Sequence, residues 1–93
     1  MIKDKAQIAR TRAILDVILG NDIVEVSFTK VNGELRTMRC TRDDDLIPDE
    51  QLPIGNSIMK ESVDILKVFE VDLQEWRSFR IENLIKFTVQ YDE

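Results

Sequence analysis

Among the side chains of this 93-residue sequence, the guanidinium groups and a single indole are the ones whose types suit recognition chemistry. Arg77 and Arg80 stand either side of Phe79, directly after Trp76, in the run Glu75-Trp76-Arg77-Ser78-Phe79-Arg80-Ile81. A guanidinium presents a fork of donors that fits phosphate oxygens. An indole offers a face on which a base can stack. Arg36, Arg39 and Arg42 form a second basic series that would extend a phosphate-tracking patch or balance the acids that follow them. Those acids, Asp43, Asp44, Asp45, Asp49 and Glu50, are the natural contacts for a protein partner. Three consecutive aspartates lack the alternate ligand spacing, central glycine and late glutamate of a calcium loop, so no metal is expected.

Other chemistry is missing. The sequence has no histidine and one cysteine, Cys40, which removes His-based acid–base catalysis and ordinary zinc sites. Cys40 is expected to face the core, so no nucleophile–base pair is evident. The expectation is a non-enzyme with no cofactor and no catalytic residue. A single cysteine also forbids an internal disulfide and suits a reducing compartment. No apolar run reaches the roughly 18 residues of a membrane span, and the start shows no apolar signal region. The expected location is the cytoplasm, with no membrane partner.

The net charge of −5 is unevenly spread. Residues 30–42 carry four positive groups and one negative, whereas residues 43–75 carry two positive and ten negative. Overall acidity argues against non-specific binding to bulk DNA, while a local basic patch survives.

The elements that must position these groups follow from periodicity. A chain this short is one domain, spanning 1–93, and its core must use nearly every large apolar side chain. Asp4 with Gln7 reads as a capping box opening a helix over about 5–19. Ile8, Leu15, Ile18 and Leu19 form its buried stripe, with Ile14 beside them. Gly20-Asn21-Asp22 ends it, because Gly and Asn tolerate a left-handed terminus. Val24, Val26 and Phe28 then alternate as a half-buried strand.

Val31-Asn32-Gly33-Glu34 is a turn, and residues 35–42 return. A three-residue loop with Gly33 left-handed sets Met38 opposite Val26 and Cys40 opposite Val24, so apolar meets apolar. Arg39 then faces Glu25 as a cross-strand ion pair, with Thr37 and Thr41 beside Ser27 and Ile23 on the outer face. Residues 43–62 form a long loop, a length that is usually functional or mobile. Leu46, Ile47, Leu52, Ile54, Ile58 and Met59 are expected to anchor it.

Three more strands are expected, at 64–72, 75–81 and 85–91, with one helical turn at Glu82-Asn83-Leu84. The last strand places Ile85, Phe87, Val89 and Tyr91 on one face. The fold class is therefore α+β, a helix followed by five short strands (about 23–91) that close most easily into a small barrel and so remove their edges, an open sheet with the helix across one face being the structural alternative.

The run Trp76-Arg77-Ser78-Phe79-Arg80-Ile81-Glu82-Asn83-Leu84-Ile85 resembles the end of WYL-type domains. Leu66-Lys67-Val68-Phe69-Glu70-Val71-Asp72 stands where those domains carry their namesake strand. Asn32-Gly33, Met38-Arg39-Cys40-Thr41 and Leu46-Ile47-Pro48 resemble the small, standalone, phage-encoded branch. The resemblance covers roughly residues 23–88. It implies an Sm-like (SH3-like) barrel used for binding, with nucleic acid or a nucleotide as ligand and Arg77 and Arg80 as the matching contacts. The literal Trp-Tyr-Leu triplet is absent.

By strand parity Trp76, Ser78 and Arg80 share a side, whereas Arg77 joins Phe79 and Ile81. One reading has Arg80 hold a phosphate while a base stacks on Trp76. The other makes Trp76 a core residue and pairs Arg80 with Glu70 or Glu82. The leading expectation is a module that binds single-stranded nucleic acid or a nucleotide through Trp76, Arg77, Arg80, Arg36, Arg39 and Arg42. The alternative is an acidic factor that engages a host protein through the loop 43–62. Sm-like barrels often form rings through edge strands, so a homo-oligomer through the fifth strand is a further expectation, against which Asp92 and Glu93 would act.

Overall fold

A computed structural model describes residues 4–52 and 62–90. The helix α1 spans Lys5–Leu19, and the Asp4 carboxylate accepts from the Ala6 amide at 2.9 Å. Ile8, Leu15 and Leu19 are buried, and Ile18 packs at the core margin. Ile14 is 52% exposed, against expectation. At 100° per residue it lies about 120° round from the Ile8–Leu15–Leu19 line, one step beyond Ile18. The helix end also differs from expectation. Gly20 stays right-handed at φ −72. The terminus closes instead through the Asn21 and Asp22 amides, which donate to the Ile18 carbonyl, and the Asn21 side chain, which donates to that of Val17.

Five strands follow: β1 Ile23–Thr29, β2 Leu35–Thr41, β3 Ile65–Glu70, β4 Glu75–Arg80 and β5 Leu84–Gln90. The β1–β2 register is the one that apolar matching requires, with Val24 opposite Cys40, Val26 opposite Met38 and Glu25 opposite Arg39. Lys30 N–H donates to Glu34 O at 2.7 Å, and Gly33 is left-handed at φ 89, as the three-residue loop demands.

The strands form one antiparallel sheet in the order β4-β3-β2-β1-β5. The expected barrel is not closed, because β4 and β5 do not pair among the described residues. A 3-10 turn at Ile81–Asn83, seated by buried Ile81, carries the chain round the corner and delivers β5 to β1.

The core joins Leu15 and Leu19 of α1 to Val24, Val26, Phe28, Met38, Cys40, Leu66, Val68, Phe79 and Leu84. The register of β5 shifts between Ser27 and Phe28, which face Lys86 and Leu84 respectively. Ile85 is the extra residue, and this bulge turns it out to solvent. Leu84, not Ile85, takes the core position, with Phe87 beside it. Tyr91 lies outside the described residues.

Thr41 and Ser27, expected on an outer face, are both buried. The end of α1 covers Thr41: its hydroxyl lies 3.2 Å from Leu19 O and 3.0 Å from Asp22 O, and it accepts from Asp43 N–H. Ser27 Oγ meets Thr37 Oγ1 at 2.8 Å.

The described part of the long loop contains two 3-10 turns, Asp44–Leu46 and Asp49–Gln51. Ile47 between them is buried and anchors the segment, whereas Leu46 is exposed. Ile54, Ile58 and Met59 lie outside the described residues.

Candidate functional site

β2 and β3 pair at Cys40–Glu70 and Thr41–Phe69, and Val71 N–H extends the ladder to Arg39 O. No further β2–β3 pair is made among the described residues, so the two strands meet only over this short stretch. A groove of about 710 Å³ lies between the tip of the β1–β2 hairpin and β4. Phe28, Met38 and Phe79 form its apolar floor, and Lys30, Arg36, Arg77 and Arg80 supply its cations. The Phe28 and Phe79 rings stack with centroids 5.1 Å apart at 18°. Both are buried, so they offer a ligand little open ring face.

An acid organises two of these cations. Leu66, Val68 and Glu70 share one strand face, which places a carboxylate on the core side, only 4% exposed. Glu70 Oε1 accepts from Arg36 Nη2 at 2.6 Å and from Arg77 Nε at 3.4 Å. Arg77 also pairs with Glu75 across its other edge. Arg80 stands at the end of β4, half exposed, 3.8 Å from both Asp64 and Glu82. Lys30 Nζ lies 3.8 Å from Glu34.

Of the basic and aromatic residues singled out in the sequence, Arg36, Arg77 and Arg80 thus meet in one groove, and Trp76, Arg39 and Arg42 lie elsewhere. Trp76 packs edge-on against Phe69 and donates Nε1–H to Gln51 O at 2.8 Å. The indole ties β4 to the acidic segment through Gln51 instead of lining the groove with Arg80.

Arg39 faces Glu25 in register, but its fork closes on Asp72, with Nη2 at 3.0 Å from Oδ1. The hydrogen bond to Asp72, and then its charge, raise the Arg39 pKa above the ordinary value. Arg42 reaches Asp16 on α1 at 3.4 Å. Arg80 pairs with Glu82 as one reading held, while Glu70 goes to Arg36 and Arg77.

In the acidic segment Asp43 accepts from the Asp45 amide, and Asp44, Asp45, Asp49 and Glu50 face solvent. Cys40 is buried, and its thiol donates to Val24 O. Burial, and after it the charge of Glu70, pushes that thiol up to about 12. No cluster of three metal-ligating side chains occurs among the described residues.

Lys30 was not evident from the sequence as a member of this site, and Glu70 was weighed only as a partner of Arg80. The signal for Glu70 was present: an acid in phase with Leu66 and Val68 needs a cation brought to it.

Residues 12–85 match the family model WYL_2, described as an Sm-like SH3 beta-barrel fold. The chain is also 43% identical over 75 residues to an uncharacterised 11.5 kDa protein in the Gp31-cd intergenic region of Enterobacteria phage T4. That alignment covers 80% of this chain and 74% of the phage protein. No solved structure matches the chain.

Proposed function

The chain belongs to the WYL_2 family of Sm-like SH3 beta-barrels, and from that premise we propose that it is a small phage-encoded binding module. Its ligand is a nucleotide or a single-stranded nucleic acid, held by phosphates in the groove of Arg36, Arg77 and Arg80. The observation that carries this reading is the convergence of three arginines and Lys30 on one groove from separate stretches of the chain.

The geometry favours phosphates over bases. The ring faces of Phe28 and Phe79 are covered, whereas the guanidiniums are one-third to one-half exposed. The carboxylates at Glu34, Asp64, Glu75 and Glu82 are exposed or half-exposed and give way at little cost. Binding is therefore modest and salt-dependent, each phosphate contact on a single strand adding roughly 0.7 to the slope of log K against log salt. The module is non-catalytic in this reading, since its one thiol is sealed in the core.

The test is fluorescence anisotropy of labelled oligo-dT, oligo-rU and ATP at low and moderate salt. Expected is saturable binding that weakens with salt and falls several-fold in Arg80→Ala, whose exposed pairs contribute little stability. A flat titration with every probe defeats the reading. The acidic segment then becomes the leading surface, because Ile47 and the Trp76–Gln51 hydrogen bond hold its solvent-facing carboxylates in a fixed arrangement. A pull-down for a basic host protein would follow.

A further inference from the structure

Glu70 is the one buried acid among the described residues, and it lies on the core side of β3 with both its cations in the groove. Resting on the phosphate reading above, we propose that Glu70 is an internal competitor: its carboxylate competes with an incoming anion for the charge of Arg36 and Arg77 and lowers the groove's affinity for phosphate.

Three observations support this. Oε1 receives both guanidiniums, at 2.6 and 3.4 Å, so one acid is shared by the two central cations of the groove. Glu70 is 4% exposed, so water does not screen its charge as it screens that of Glu34 or Glu75. The Arg36 and Arg77 side chains stay 29% and 39% exposed, so a ligand can reach them while Glu70 still holds them. A ligand phosphate therefore sits across the guanidiniums from a fixed negative charge. Monoanions gain least from the groove, and ligands with several linked phosphates gain most.

Glu70→Gln tests the charge while leaving an amide oxygen to accept from both arginines. Expected is roughly tenfold tighter binding of oligo-dT and ATP, from removing one unscreened charge a few ångströms from the phosphate. Glu70→Asp keeps the charge and should not tighten binding. Asp44→Asn, an equal charge change on the remote acidic segment, should leave affinity unmoved. Glu75→Gln, on the exposed acid that shares Arg77, should show a smaller gain in the same direction and keeps the test decisive should Glu70→Gln fail to fold.

If the wild type binds and Glu70→Gln is unchanged or weaker, the competitor role is overturned and the phosphate reading stands. Equal tightening by Glu70→Asp overturns it too, because loosening, not charge, would then be the cause. Silence from the wild type and every variant overturns both.

Discussion

Gly33 has φ 89 and no atom within 4 Å of where a Cβ would stand, so the cost of a side chain there is purely conformational. Gly33→Ala should lower stability by about 1–2 kcal/mol in urea unfolding, with the m-value unchanged. Gln74 adopts φ 56 without that freedom and is held by its own side chain, which donates to Val71 O at 2.7 Å. Cys40 gives a pH signature whose sign is fixed by its raised pKa. The folded thiol resists ionisation up to about 12, while the unfolded thiol ionises near 9.0. The stabilisation is complete below the unfolded value and is lost as pH rises from there toward the folded one. Wild type should thus lose stability above pH 9 more steeply than Cys40→Ala, by up to about 1.4 kcal/mol per pH unit. Parallel pH profiles would show the thiol to be accessible to solvent.

Elements are joined here by a few polar side chains. Thr41 fastens β2 to the terminus of α1, and Arg12 Nη1 donates from the helix to Ile65 O at 2.7 Å, fastening it to β3. Thr41→Val keeps the shape and removes the hydroxyl, leaving the Leu19 and Asp22 carbonyls and the Asp43 amide without it. A loss of about 1–3 kcal/mol is expected by thermal or urea unfolding. What the sequence made legible was whatever neighbouring residues decide. The hairpin register followed from Asn32-Gly33 and apolar alternation, and the helix bounds from Asp4 and the stripe. The Ile85 bulge was not legible, since it comes from fitting β5 to β1, nearly 60 residues away. Nor was the placement of Trp76, whose partner is a backbone carbonyl in a loop. Half the site was within reach: parity separates Arg39 from Arg36 and Arg42, and puts Glu70 with Leu66 and Val68. Which arginines converge depends on how the tip of the β1–β2 hairpin comes to lie over β4, and no local pattern encodes it.

At the scale of the whole molecule, the family match and the sheet order describe an Sm-like chain whose five strands make an open sheet. That sheet is sewn tightly through β5, β1 and β2 and through the β3–β4 hairpin, but thinly between the two parts. Arg36 belongs to one part and Arg77 to the other, with Glu70 as the clasp. Amide hydrogen exchange should accordingly resolve two cooperative opening units, the β3–β4 hairpin exchanging at lower free energy than β1, β2 and β5. Uniform protection across all five strands would contradict this. A polyphosphate that spans both arginines would bind only while the units are closed. Its occupancy should then appear as slowed exchange along the hairpin, far beyond the few residues it touches, and the seam in the sheet would report whether the groove is filled.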